Sequence, residues 1–223
     1  EGGSNNTGVD LSSGVVKIFS IWDAFAALKL DGSVVTWGAG AAGAGTSNSI
    51  NVLQGVTGVI DICTISGSSD SFAALKSDGT VISWGSVAEG GNSSSVQEDL
   101  TDVVKIFASR NAFAALKSDG SVVTWGGNRG GNSSDVAENL TSGVTWVFST
   151  WHSFAALKED GTVVHWGSDE DGGTDWYDVK SDLTNPATAN VIQIYSNIWS
   201  FAVLKSDGSV VTWGYEGSRP NGS

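Results

Sequence analysis

Residues 113–126 read FAALKSDGSVVTWG. The same phrase returns with small changes from Phe25 (FAALKLDGSVVTWG), Phe72 (FAALKSDGTVISWG), Phe154 (FAALKEDGTVVHWG) and Phe201 (FAVLKSDGSVVTWG). The marker phenylalanines stand 47, 41, 41 and 47 residues apart. A period of that length, filled with strand-forming residues, marks an array of small sheets. Residues common to all copies build the scaffold, so recognition is sought where the copies differ.

Working outward from Phe113, residues 103–107 (VVKIF) form a β-branched run ahead of a short polar break. Residues 113–117 (FAALK) follow, then Asp119-Gly120, a dipeptide that favours a tight hairpin turn, then 122–126 (VVTWG) as the returning strand. Each copy therefore predicts a three-strand antiparallel meander. Phe-Ala-Ala-Leu and Val-Val-Thr-Trp are apolar on successive positions, the pattern of strands covered on both faces. Small sheets with no wet face, covered by copies of themselves, stack radially as propeller blades. After each Trp-Gly the chain is more variable. Val96/Leu100, Val136/Leu140 and Val179/Leu183 keep a helical spacing of four, and Ser95 and Asp135 each precede a glutamate by three, as in a capping box. A helical turn on the blade is the reading, with a fourth edge strand as its rival.

The chain ends bear on closure. Residues 1–19 match residues 89–107, so the chain starts just after the point where a Trp-Gly stands, and it ends on Trp213-Gly214 plus a short tail. The expectation is a single all-β domain over 1–223. It is a five-bladed β-propeller with three to four strands per blade, its ring closed by N-terminal residues that complete the last blade and remove free sheet edges.

The formal charge is −13, from 11 Lys and Arg against 24 Asp and Glu. That balance argues against nucleic acid, and no apolar run is long enough to cross a membrane. The single cysteine, Cys63, lies in a strand-like run and reads as a small buried hydrophobe. Sequons begin at Asn5, Asn92, Asn132, Asn139 and Asn221 and suit an extracellular or cell-surface protein.

The string Ala-Leu-Lys-Ser-Asp-Gly-x-Val-x-x-Trp-Gly, with the glycine-rich residues 126–131 behind it, resembles the repeat of the regulator-of-chromosome-condensation family. The resemblance implies a β-propeller used as a binding platform. The copies are shorter and fewer than that family's usual seven, and are closer to the repeat arrays of large bacterial or algal surface proteins. No residue here matches the inserted loops and basic tails through which exchange-factor or chromatin-binding members act.

No zinc spacing, phosphate loop or nucleophile elbow is present, so the chain reads as a non-enzyme. The repeated aspartates (Asp31, Asp78, Asp119, Asp160, Asp207) read as turn residues. Asp169, Glu170, Asp171 and Asp175 crowd one loop as candidate calcium ligands, against the plainer reading of a solvated acidic loop. No other cofactor is expected. The candidate binding site is the break between first and second strands, where Trp22, Asp23, Trp151, His152, Asn197 and Trp199 occur. In a closed ring, blades four, five and one adjoin and these residues share one rim. Aromatic faces with polar neighbours suit a glycan or a protein. The function expected is a non-catalytic module of a larger, exported protein. Its rivals are an intracellular exchange-factor or ubiquitin-ligase-associated propeller and a purely structural block.

Overall fold

The computed structural model describes residues 11–22, 24–38, 51–52, 56–65, 71–168 and 176–214. Five antiparallel sheets follow one another along them. Blade one comprises Val15–Ser20, Ala24–Lys29 and Val34–Gly38, with the two-residue strand Asn51–Val52 on its outer edge. Blade two is Val59–Ile65, Ser71–Lys76 and Val81–Gly85, and blade three is Val103–Ala108, Ala112–Lys117 and Val122–Gly126. Blade four is Val144–Ser149, Ser153–Lys158 and Val163–Gly167, and blade five is Val191–Ser196, Ser200–Lys205 and Val210–Gly214. Four blades thus have three described strands and one has four. A bulge after the first residue of every first strand, as between Val103 and Lys105, shifts its register.

The register places the repeated phenylalanine opposite the repeated tryptophan (Phe113 against Trp125), and their rings stack at 5.1–5.3 Å in all five blades. This pair lies on the face each blade turns toward its predecessor. Phe154, Ala156, Val164 and Trp166 of blade four form one core with Ala112, Ala114, Leu116 and Val122 of blade three. The other three junctions repeat that arrangement. The core among the described residues is therefore a series of four sandwiches between neighbouring blades, and first strands pack on first strands. Apolar periodicity on every strand position follows from having a neighbour on both sides.

The Asp-Gly turns hold a finer device. Only the glycine has positive φ (Gly120, 77°), so each is a three-residue loop ending in a left-handed glycine. The aspartate accepts two bonds from the residue after the glycine: Asp119 Oδ1 takes the Ser121 N–H (2.9 Å) and hydroxyl (2.6 Å). Those bonds hold its carboxyl below the usual carboxylate range, the hydroxyl's the larger effect. The glycine carbonyl then links to the next blade. Val59 N–H donates to Gly32 O (3.0 Å), Val103 to Gly79 (2.9 Å), Val144 to Gly120 (2.9 Å) and Val191 to Gly161 (3.0 Å).

Helical segments follow the Trp-Gly in several copies: Ser94–Val96, Ser134–Leu140 and Trp176–Leu183. Leu100, Leu140 and Leu183 are buried under them. The capping-box reading of Ser95 and Asp135 is corrected. The first two segments start at Ser94 and Ser134, their caps are Ser93 and Ser133, and neither cap makes a side-chain bond to the backbone. Asn92 and Asn132 organise these entries instead, each accepting the N–H two residues on (2.9 and 3.0 Å).

The expected completion of blade five by the N-terminal residues falls on 1–10, outside the described residues. Among those described, single side chains on the outer faces of the end blades are exposed, although Ala27 and Val35 on the outer face of blade one are only 0% and 6% exposed. Val210 of blade five is 62% exposed, whereas its counterparts Val34, Val81, Val122 and Val163 are at most 9% exposed. Ile18 of blade one is 60% exposed, whereas Ile62, Val147 and Ile194 are at most 4% exposed.

Candidate functional site

The break between first and second strands closes as a tight turn in each described copy. Ser109 N–H donates to Ala112 O (2.9 Å), Thr150 N–H to Ser153 O (2.9 Å) and Asn197 N–H to Ser200 O (3.0 Å). The polar side chain that opens each turn braces it. Thr150 Oγ1 accepts from Ser153 N–H (3.2 Å), and Asn197 Oδ1 accepts from Trp199 N–H (2.7 Å) and Ser200 N–H (2.8 Å). Asn197 is exposed, but its carbonyl is committed to the turn. The next residue of each turn (Arg110, Trp151 and Ile198) reaches the surface.

Successive turns are also tied to each other. Arg110 N–H donates to Trp151 O (2.8 Å), and Trp151 N–H donates to Ile198 O (3.0 Å), so blades three, four and five present a continuous backbone rail. On it the Arg110 guanidinium carbon lies 4.8 Å from the Trp151 ring centre. Trp199 meets Trp151 edge-on at 4.8 Å. A groove of about 400 Å³ runs beside them, lined by Arg110, Thr150, Trp151, Asn197 and Ile198 among others. Trp151 is 39% exposed, enough for contact while its position is held.

Of the residues expected here, Trp151, Trp199 and Asn197 come together. His152 joins them as a buried neighbour, its ring 6.3 Å from Trp151 and 6.4 Å from Trp199, not as a surface group. Trp22 is 83% exposed on the blade-one turn and makes no ring contact with that cluster. Asp23 lies outside the described residues. Arg110 was not expected, although it stands three residues before Phe113, as Trp151 stands three before Phe154. That shared offset was the available signal.

Two other places bear on function. The first strands of blades one to three line a groove of about 340 Å³ containing Lys17, Asp61, Cys63 and Lys105. Lys17 pairs with Asp61 across blades one and two at 2.8 Å. Burial, then the Asp61 charge, push the Cys63 thiol up to about 12, so it stays protonated and a poor nucleophile at neutral pH. In blade four, His165 lies among Trp176, Phe201 and Trp213, and burial lowers it to about 3. The calcium candidates Asp169, Glu170, Asp171 and Asp175 lie outside the described residues, as do Asn5 and Asn221. Among the described residues no cluster of three or more His, Cys, Asp or Glu is placed to hold a metal. Asn92, Asn132 and Asn139 are exposed.

No protein-family model matches the chain, and neither does any curated protein. Solved structures do. The ectodomain of the Physcomitrella patens receptor kinase CR4 is 15% identical, with a TM-score of 0.55 over 93% of this chain and 53% of its own. Prp20p of Saccharomyces cerevisiae, whose structure was reported with its binding properties to Gsp1p and histones, is 17% identical, with a TM-score of 0.54 over 93% of this chain and 60% of its own. Human WBSCR16 is 17% identical, with a TM-score of 0.50 over 89% of this chain and 59% of its own. This chain thus spans little more than half to three-fifths of those three proteins. At such identities the likeness speaks for fold alone, and with the five repeat-built sheets it makes this a β-propeller fold of the regulator-of-chromosome-condensation type.

Proposed function

We propose that this chain is a non-catalytic, protein-binding propeller that recognises its partner through the Arg110–Trp151–Trp199 rim. The carrying observation is Trp151, fixed through its own N–H and carbonyl to the flanking turns, with a guanidinium over its ring. Tryptophan and arginine are the residue types that most often dominate binding energy at protein interfaces, above all where their positions are set before binding. Arg110 covers one side of the indole and Trp199 abuts it, which favours a polypeptide with an acidic or carbonyl-rich stretch over a sugar needing a free aromatic face. The basic group is also conspicuous in a chain of charge −13. Protein binding by Prp20p is a precedent on the same fold, no more.

The proposal extends to an exported setting, which the exposed sequons at Asn92, Asn132 and Asn139 favour. Panning a displayed peptide library on the chain tests the rim. Selected peptides are expected to lose at least about tenfold in affinity with Trp151→Ala and with Arg110→Ala, and to be unmoved by Lys180→Ala. Ligands indifferent to both rim substitutions would refute the proposal, and a glycan-array signal abolished by Trp151→Ala would replace protein with sugar.

A further inference from the structure

The groove beside the rim is built from one repeated position taken three times. Ser109, Thr150 and Asn197 open the equivalent turns of blades three, four and five, and each side chain accepts the N–H three residues on. The residue after each brace is Arg110, Trp151 or Ile198, and all three line the groove. Trp151 is exposed, Ile198 is 48% exposed and Arg110 is half-buried. At this position the scaffold therefore offers one side chain per blade, and its chemistry changes each time: a cation, an aromatic ring, an aliphatic group.

Backbone bonds fix the spacing of the three. Arg110 N–H donates to Trp151 O and Trp151 N–H to Ile198 O, and Ser149 Oγ adds a bond to Ala108 O (2.7 Å) between blades three and four. Backbones joined in this way lie about 5 Å apart, so Arg110 and Ile198 stand about 10 Å from each other across Trp151. An extended polypeptide advances about 3.3 Å per residue and covers that distance in about three residues. The two ends differ in what they attract. No carboxylate among the described residues pairs with Arg110, whose guanidinium rests on the Trp151 ring. Ile198 presents aliphatic surface to water.

We infer that the rim reads a short linear motif in an extended polypeptide. An acidic residue sits on Arg110 and an apolar residue on Ile198, about three positions apart, with the backbone between them crossing Trp151. This rests on the protein-binding reading of the rim and adds which partner side chains are selected and at what spacing. A carboxylate answers the guanidinium with a charge-assisted bond, and an exposed isoleucine gains most from an apolar neighbour. The indole accepts many groups, so Trp151 supplies affinity while the two ends supply discrimination.

The test pans one displayed peptide library in parallel on the parent chain, Arg110→Glu, Arg110→Gln and Ile198→Lys, and sequences what each retains. The parent is expected to enrich an acidic and an apolar residue about three positions apart. Arg110→Glu is expected to exchange the acidic residue for a basic one at the same spacing, and Arg110→Gln to keep the apolar residue alone. Ile198→Lys is expected to replace the apolar residue by a second acidic one. A variant that enriches a new class of peptide is folded, so a change of class separates altered reading from lost structure. Peptides that bind the parent through Trp151 yet show no acid–apolar pairing overturn the motif and leave the rim standing. The same holds if Arg110→Glu enriches the parent's peptides. Peptides indifferent to Trp151→Ala, or none at all, overturn the rim and the motif together.

Discussion

At the scale of single residues, what a side chain does here depends on its copy. Position 165 is threonine or serine in the other blades and histidine in blade four, where it is buried among aromatic rings and its Nε2 has no hydrogen-bond partner. Because burial lowers His165 from 6.5 to about 3, the unfolded chain takes up a proton below about pH 6.5 that the folded chain refuses until about pH 3. The unfolded state binds more protons in that window, so stability falls as pH falls, by up to about 1.4 kcal/mol per pH unit from this group. Urea denaturation of His165→Thr, the residue of three other copies, is expected to show a shallower decline between pH 6.5 and 3 than the parent. Equal slopes would mean the imidazole is not desolvated as described. The rim was only half legible at this scale. Trp151 and Trp199 drew notice because aromatic residues stand out in a polar break, whereas Arg110 did not. Its significance lies in the backbone bond that brings the blade-three turn against Trp151, and no single copy contains that bond.

At the scale of the element, the Asp-Gly hairpin was legible as a turn but not as a joint between blades. The dipeptide predicts where the chain reverses; that its glycine carbonyl receives the next blade's valine depends on residues some 24 to 30 positions away. The aspartate's work is local, and it divides into two bonds accepted by one oxygen. Asp119→Asn keeps a carbonyl acceptor for the Ser121 N–H and hydroxyl, whereas Asp119→Ala keeps none. The expected order of melting temperatures is parent, then Asn, then Ala, and an alanine variant equal to the parent would remove the brace from the account. The glycine-rich stretch after Trp125 offers a harsher substitution. Gly130 has φ of 104° and a methyl group there would lie 2.9 Å from the Phe154 ring of the next blade. Gly130→Ala is expected to cost about 2 kcal/mol or more in urea denaturation, from backbone strain and overpacking together. This too crosses a blade junction, which is why the sequence marks the glycine without revealing what presses on it.

At the scale of the whole molecule, the period made five sheets legible, and the doubly apolar strands made face-to-face packing legible. Closure was not. A repeat specifies the contact between one blade and the next, whereas the number that completes a turn depends on a small rotation at each junction that no residue names. Val210 and Ile18 are written like their buried counterparts whether or not anything covers them. The turn glycines supply an internal measure of that coverage, because Gly120 and Gly208 share a turn, an Asp neighbour and a left-handed φ of 77° and 85°. They differ in what lies next door. In dilute solution Gly208→Ala is expected to cost only the backbone strain, about 1 kcal/mol, while Gly120→Ala costs at least twice that because its methyl meets the Gly143 backbone. Equal destabilisation by the two substitutions in dilute solution would show Gly208 already covered by the chain's own first blade, and the array would then be a closed ring.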